Sequence, residues 1–212
     1  MISYDRLQRI DELTRRDHYY LDADDECYFL GEYTARKGYQ YSDTNNAIIT
    51  LKTPPSLPEN RQYHKRRAIA AYSNELRRLV GRNGSEGWTF VPVPSSKIVG
   101  HPDYDARLTL VLGRAFEGFT VDIRNLVKQR ENRVAAHKDD SKKRSPDNFE
   151  YEIDESLTEP IPHRITIFDD MVTTGASYVA VKRILQRRFA GATIRGLFLS
   201  RCVHEADFGF FR

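Results

Sequence analysis

Two adjacent carboxylates, Asp169 and Asp170, stand two residues ahead of a run of small and hydroxylic residues: Thr173, Thr174, Gly175, Ala176 and Ser177. The apolar residues before them (Ile165, Ile167, Phe168) predict a buried parallel strand ending at the carboxylates. After them Tyr178, Val181, Ile184 and Leu185 recur at helical spacing, so a helix must begin inside the Thr/Ser segment. A helix start leaves backbone N–H groups unpaired and carries the positive end of the dipole, which together attract an anion. Thr173, Thr174 and Ser177 add hydroxyl donors, and Gly175 lets the backbone approach a phosphate. Carboxylates repel a phosphate but suit hydroxyls, or a metal ion, a few ångströms away. A phosphate at one end and vicinal hydroxyls in the middle describe a ribose 5-phosphate. A capped helix without ligand would need one Ser, Thr or Asp rather than this whole set.

The order of apolar strand, Asp-Asp, two residues, Thr-Thr-Gly, small residue and Ser resembles the PRPP (phosphoribosyl pyrophosphate) signature of type I phosphoribosyltransferases. By that resemblance Asp169 and Asp170 hydrogen-bond the ribose 2′- and 3′-hydroxyls, and Thr173–Ser177 hold the 5′-phosphate. Thr166 departs from the pattern as a polar residue in an apolar strand, which its β-branched side chain tolerates.

A second segment, FVPVPSSK, precedes a helix that carries Arg107. It resembles the competence-protein-like subset of the same superfamily, in which the loop after this strand binds pyrophosphate. That role falls here on Pro94, Ser95, Ser96 and Lys97, with Arg107 nearby. The cysteine-rich zinc element of the subset is missing, and its Arg-Gly-Phe-Asn run is replaced by Tyr104-Asp105-Ala106-Arg107. The resemblance covers about residues 88 to 203. A long basic stretch from about 128 to 148 holds Lys128, Arg130, Arg133, His137, Lys138, Lys142, Lys143 and Arg144. It lies where type I enzymes place a flexible catalytic loop. A cationic lid there would neutralise a departing pyrophosphate, with Lys142, Lys143 and Arg144 densest in charge and His137 titrating near neutrality.

The remaining elements must hold these segments in place. Residues 4 to 19 predict an amphipathic helix through Leu7, Ile10 and Leu13. Tyr28, Phe29 and Leu30, then Ile48, Ile49 and Leu51, predict two strands of an N-terminal hood element, residues 1–58, whose aromatic residues (Tyr28, Phe29, Tyr33, Tyr39, Tyr41) are candidates to stack on an acceptor base. Asp22, Asp24, Asp25 and Glu26 lack the calcium-loop pattern and predict a solvated turn. Pro54, Pro55 and Pro58 mark a boundary. Residues 59–212 then predict an α/β domain: a helix over 62–80, a strand at 90–93, a helix over 103–116, a strand over 121–127, the signature strand and helix, and a last strand over 193–199. Alternating strands and helices predict a parallel sheet flanked by helices, with the ligand beyond the carboxyl ends of the strands.

At 212 residues and 30% charged, without a long apolar run, the chain predicts no membrane span, and the absence of a signal-peptide core makes the cytoplasm the default. Cys27 and Cys202 suggest neither a disulfide framework nor a zinc site. A net charge of +3 does not mark a nucleic-acid binder. The resemblance implies displacement of pyrophosphate from the anomeric carbon of PRPP by a nitrogenous base or nucleotide. Mg²⁺ would be held mainly by ligand oxygens, with Asp169 and Asp170 acting on it indirectly. A homodimer stays open. The alternatives are a PRPP- or nucleotide-sensing module and a nucleic-acid accessory protein using the basic stretch on phosphates.

Overall fold

The computed structural model describes residues 2–132 and 145–204. Eight strands, β1 (Gln8–Arg9), β2 (Cys27–Thr34), β3 (Thr89–Pro92), β4 (Asp122–Ile123), β5 (Val127–Gln129), β6 (Tyr151–Ile153), β7 (Arg164–Val172) and β8 (Thr193–Val203), form two sheets. The main sheet has the order β1-β2-β8-β7-β3-β4, and β5 and β6 make a separate pair. Every pairing from β2 to β4 is parallel, and only the edge strand β1 runs antiparallel. The helices are α1 (Glu12–Arg15), α2 (Asp43–Leu51), α3 (Glu59–Leu79), α4 (Gly81–Ser85), α5 (Arg107–Ala115) and α6 (Ala176–Arg188). Helix α3 packs on α2 and α5, while α6 packs on β7 and β6. The chain is thus an α/β protein with a mostly parallel sheet flanked by helices.

Strand β7 is central because both of its neighbours are parallel and its residues from Ile165 to Asp170 are buried. Such a strand has no solvent face, which explains its continuous apolar run. Thr166 is fully buried, and its Oγ1 accepts a hydrogen bond from Arg195 Nε at 2.9 Å. The guanidinium of Arg195 also stacks 3.6 Å from the Trp88 ring centroid, so the polar position is satisfied inside the sheet.

Several sequence expectations are corrected here. The helix expected over 4–19 is instead strand β1 followed by the single turn α1. Asp11 caps that turn by accepting from Thr14 N, while Asp11 N donates to Thr14 Oγ1. Leu13, expected on a buried face, is 71% exposed. The strand expected at 48–51 is the C-terminal half of α2. Ser42 Oγ caps that helix by accepting from Asn45 N at 3.0 Å, and Ile48 and Leu51 face the core while Ile49 does not. Strand β2 pairs with β8 from Cys27–Gly196 to Thr34–Val203, so the N-terminal segment is built into the main sheet rather than lying apart as a hood. The boundary expected at Pro54–Pro58 falls between two helices packed on each other. The solvated turn expected at 22–26 contains a buried carboxylate: Asp25 accepts from Lys182 Nζ at 2.6 Å and from the Tyr178 hydroxyl at 3.2 Å, tying the turn to α6. The strand expected over 121–127 divides between β4 and β5, which belong to different sheets. No helix among the described residues is long and apolar enough to cross a membrane.

Candidate functional site

A cleft of about 320 Å³ opens beyond the carboxyl ends of β3 and β7. Two stretches far apart in sequence meet there as the topology of a parallel sheet requires: Pro94–Lys97 after β3, and Asp169, Asp170, Met171, Thr173 and Ser177 from the end of β7 into the first turn of α6. Arg107 at the start of α5 completes the set read from the sequence. Strand β7 runs three residues past Asp169, so both carboxylates lie within the strand rather than beyond it.

The two carboxylates differ sharply in their surroundings. Asp170 is almost wholly buried. Its Oδ1 meets the Lys52 ammonium at 2.9 Å, and its Oδ2 accepts from Arg107 Nε at 2.8 Å and Nη2 at 2.5 Å. Arg107 Nη1 also donates to Asp105 Oδ2 at 2.8 Å, and the same oxygen accepts from Lys65 Nζ at 2.7 Å. A continuous chain of alternating charge therefore runs Lys52–Asp170–Arg107–Asp105–Lys65. Burial works against ionising Asp170, but the Lys52 and Arg107 charges outweigh it and hold its carboxyl down at about 2. Arg107, though desolvated, is held fully charged by Asp170 and Asp105.

Among the described residues no cation is in contact with Asp169. Its Oδ1 accepts the Asp170 backbone N–H at 2.8 Å, and its Oδ2 accepts from Ser177 Oγ at 3.3 Å. Burial, reinforced by the negative charge of Asp170, pushes its carboxyl from 3.8 up to about 7. The adjacent acids are thereby split: one is fixed as an anion, and the other titrates near neutrality.

The hydroxylic loop is held from the N-terminal side. His18 Nδ1–H donates to the Thr173 carbonyl, and Tyr20 N–H donates to the Thr174 carbonyl at 3.0 Å. Thr173 and Ser177 line the cleft, whereas Thr174, Gly175 and Ala176 do not. Thr174 Oγ1 instead accepts from Ala176 N at 3.4 Å. Gly175 is the N-cap of α6 with φ +87°, and a Cβ on it would meet the Leu21 side chain at 2.9 Å. Its glycine is accounted for by the left-handed backbone and by Leu21, without a ligand.

In the loop after β3, Ser95 Oγ accepts the backbone N–H groups of Lys97 and Asp105, each at 3.3 Å. Ile98 N donates to Asn132 Oδ1 at 3.0 Å, which fastens this loop to the segment leaving β5. The long basic stretch begins in β5 and ends in a 3-10 turn, Pro146–Asn148, just ahead of β6; Lys128 is a strand residue paired to Glu152 across the antiparallel pair. Phe149 and Tyr151, on the returning limb, line the cleft with ring centroids 5.3 Å apart. Arg133, His137, Lys138, Lys142, Lys143 and Arg144, expected in a lid, lie outside the described residues.

None of Tyr28, Phe29, Tyr33, Tyr39 and Tyr41 lines the cleft. Phe29 is core, Tyr28 donates to Glu26 at 2.6 Å, and Tyr39 and Tyr41 are exposed. The aromatic rings at the cleft are Phe149 and Tyr151. Sequence reasoning also missed Lys52, Asp105 and Lys65. They come from three elements distant in sequence from the signature, and a charged residue at a helix end or in a loop carries no local sign of its partner.

The donor set does not fit a metal held by the protein alone. Among the described residues no three His, Cys, Asp or Glu side chains converge, and both oxygens of Asp170 are already engaged by cations. The Mg²⁺ expected from the resemblance would have to arrive on the ligand's own oxygens. No protein-family model matches the chain, and no curated protein matches it.

Proposed function

We propose that the chain binds PRPP in this cleft and transfers its phosphoribosyl group to a nitrogenous acceptor. The observation that carries the reading is the convergence of stretches far apart in sequence: the Asp169–Ser177 stretch, with its acidic pair and the hydroxyls of Thr173 and Ser177, the Ser95–Lys97 loop, and Arg107. A ribose with a phosphate on one side and a pyrophosphate on the other presents the complementary order of groups. The acidic pair offers hydrogen-bond partners to the diol. Ser177 and the start of α6 offer donors to the 5′-phosphate. Lys97, with the cationic side of the Asp170 network, faces the pyrophosphate.

In the reaction the acceptor nitrogen forms a bond to the anomeric carbon as the bond from that carbon to pyrophosphate oxygen breaks, and the pyrophosphate leaves with the electron pair. Positive charge grows on the ribose ring oxygen and anomeric carbon, and negative charge grows on the leaving oxygen. The Asp170 anion beside the ribose and the cations beyond it match that separation of charge, and interactions that strengthen as it develops lower the barrier. Phe149 and Tyr151 offer flat apolar faces to a planar acceptor.

The test is pyrophosphate release from PRPP by the full chain over a panel of bases and nucleotides, alongside calorimetric titration of ribose 5-phosphate. Asp169→Asn with Asp170→Asn should abolish measurable ribose 5-phosphate binding while leaving the fold intact. Ribose 5-phosphate and PRPP both failing to bind the wild type would refute the reading. Binding without release under any acceptor would leave a PRPP-binding module and remove the transferase.

A further inference from the structure

We propose that Lys52, outside both the acidic pair and the hydroxylic loop, is an anion-binding residue of the cleft: its ammonium leaves Asp170 Oδ1 for the pyrophosphate end of the ligand as ribose hydroxyl takes that oxygen over. This inference rests on the phosphoribosyl reading and deepens it.

The starting point is an occupancy conflict. A carboxylate that clamps a diol needs an oxygen turned to the ligand, yet both oxygens of Asp170 are held by cations. One contact must open. Arg107 makes two hydrogen bonds to Oδ2, is fastened to Asp105 by a third, and has a side chain 20% exposed. Its planar fork is fixed by two carboxylates at once. Among the described residues the Lys52 ammonium makes one ion pair, to Oδ1, and the side chain is 33% exposed at the cleft wall. An ammonium on a flexible four-carbon stem turns without moving its backbone.

The backbone that carries Lys52 is anchored, so the side chain is the part free to turn. Lys52 N donates to Ile48 O at the end of α2, and the next carbonyl, Thr53 O, accepts from Lys65 Nζ at 2.7 Å. Pro54 and Pro55 continue the same wall. The charge balance points the same way. Within the chain Lys52–Asp170–Arg107–Asp105–Lys65, three cations face two carboxylates, leaving a positive surplus that the partly protonated Asp169 beside them offsets only in part. Lys65 is 7% exposed and cannot reach a ligand, so the surplus is expressed at the exposed end, which is Lys52. A polyanion entering the cleft is the group that would draw it off Asp170, and this release would free Oδ1 for the ribose in the same event.

The full chain is titrated calorimetrically with inorganic pyrophosphate and, separately, with ribose 5-phosphate. Lys52→Met should weaken pyrophosphate by ~10-fold or more, the scale for one charge-assisted hydrogen bond, and should leave ribose 5-phosphate no weaker. Lys52→Arg should retain most of the pyrophosphate affinity. Asp170→Asn, which removes the competitor for the ammonium, should tighten pyrophosphate while weakening ribose 5-phosphate. That pair of opposite changes is not produced by a merely structural ion pair. Unchanged pyrophosphate affinity in Lys52→Met, or an unchanged or weakened one in Asp170→Asn, overturns the inference while leaving the phosphoribosyl reading in place if ribose 5-phosphate binds the wild type. A wild type that binds pyrophosphate but not ribose 5-phosphate overturns the phosphoribosyl reading instead, and the Lys52 variants then decide the anion site alone.

Discussion

The split between the two acids makes a stability prediction that needs no ligand. Asp169 is raised from 3.8 to about 7, so the folded chain holds a proton there that the unfolded chain releases. A group with its folded value raised stabilises fully below its unfolded value, and that contribution is lost as pH rises through the folded one. The Asp169 contribution to stability should therefore decline between pH ~4 and ~7 and level off above, by ~4 kcal/mol at most, and is read as the difference between wild type and Asp169→Asn, because buried His18, held below its ordinary value, works in the opposite direction over the same window. Asparagine keeps the shape and an oxygen for the Asp170 N–H but carries no charge, so Asp169→Asn should escape the decline. Some of the gain is lost with the anionic acceptor for Ser177, so a net stabilisation of ~2 kcal/mol at pH 8 is expected, or ~4–8 °C in Tm for a chain of this size. Near pH 4 the two proteins should be about equal. Asp170 has the opposite sign: lowered to about 2, it stabilises above 3.8 and is lost as pH falls through about 2, outside this window. The assay is thermal unfolding of both proteins from pH 4 to 8. Parallel curves, or an Asp169→Asn protein less stable at pH 8, would show that Asp169 ionises freely in the folded chain and would refute the assignment of the two acids.

Arg107→Met should lower stability by ~2–4 kcal/mol, below the full cost of orphaning a buried charge because Asp170 keeps Lys52 and Asp105 keeps Lys65; a urea midpoint that does not move would show that the network contributes nothing. Gly175→Ala should cost ~1–3 kcal/mol through its positive φ and the Leu21 contact, measured by the same denaturation and in the absence of any ligand. Asp25→Ala should cost ~2–4 kcal/mol by leaving Lys182 and the Tyr178 hydroxyl without their shared acceptor. A wild-type midpoint in Asp25→Ala would mean that the 22–26 turn is not fastened to α6.

The signature region was legible because its information is local. An apolar run, an acidic pair and a Thr-Gly-Ser turn specify strand, loop and helix over about twenty residues, and the parallel topology then fixes where the loop opens. The N-terminal region was not. The run Ile48-Ile49-Thr50-Leu51 is β-branched and reads as strand by propensity, yet Ser42 caps a helix and Ile48 and Leu51 bury one face of it. The cap was the signal available in the sequence, and tertiary burial overrode propensity. For Tyr28-Phe29-Leu30 the type of element was legible but its neighbour was not. Strand β8 lies about 170 residues further on, and nothing in either segment names the other.

The same distinction explains the candidate site, and it bears on what the site does. The residues of the acidic pair, the hydroxylic loop and the Pro94–Lys97 loop came from motifs, so each was assigned to a ligand. The residues that the motif could not supply, Lys52, Lys65 and Asp105, are the ones that decide which of those assignments is available. Lys52 engages one oxygen of Asp170, and Asp105, itself held by Lys65, fastens Arg107 on the other, so an open pair of acids becomes one fixed anion and one acid whose carboxyl is pushed up towards neutrality. Asp169, buried and without a cation in contact among the described residues, would on the phosphoribosyl reading donate to or accept from a ribose hydroxyl as its proton comes and goes near neutrality. Asp170 can do neither until a cation leaves it. A ligand that carries its own negative charge supplies the reason for that cation to leave, and a bare ribose does not. On the phosphoribosyl reading the cleft should therefore discriminate by charge before shape: PRPP, which brings both polyanion and diol, should bind more tightly than the separate affinities of ribose 5-phosphate and pyrophosphate suggest, because one arm opens the site that the other fills. The coupling is read directly by titrating ribose 5-phosphate with and without saturating pyrophosphate. Mutual tightening supports the exchange at Asp170, and strict independence would show that the two arms bind without passing through it.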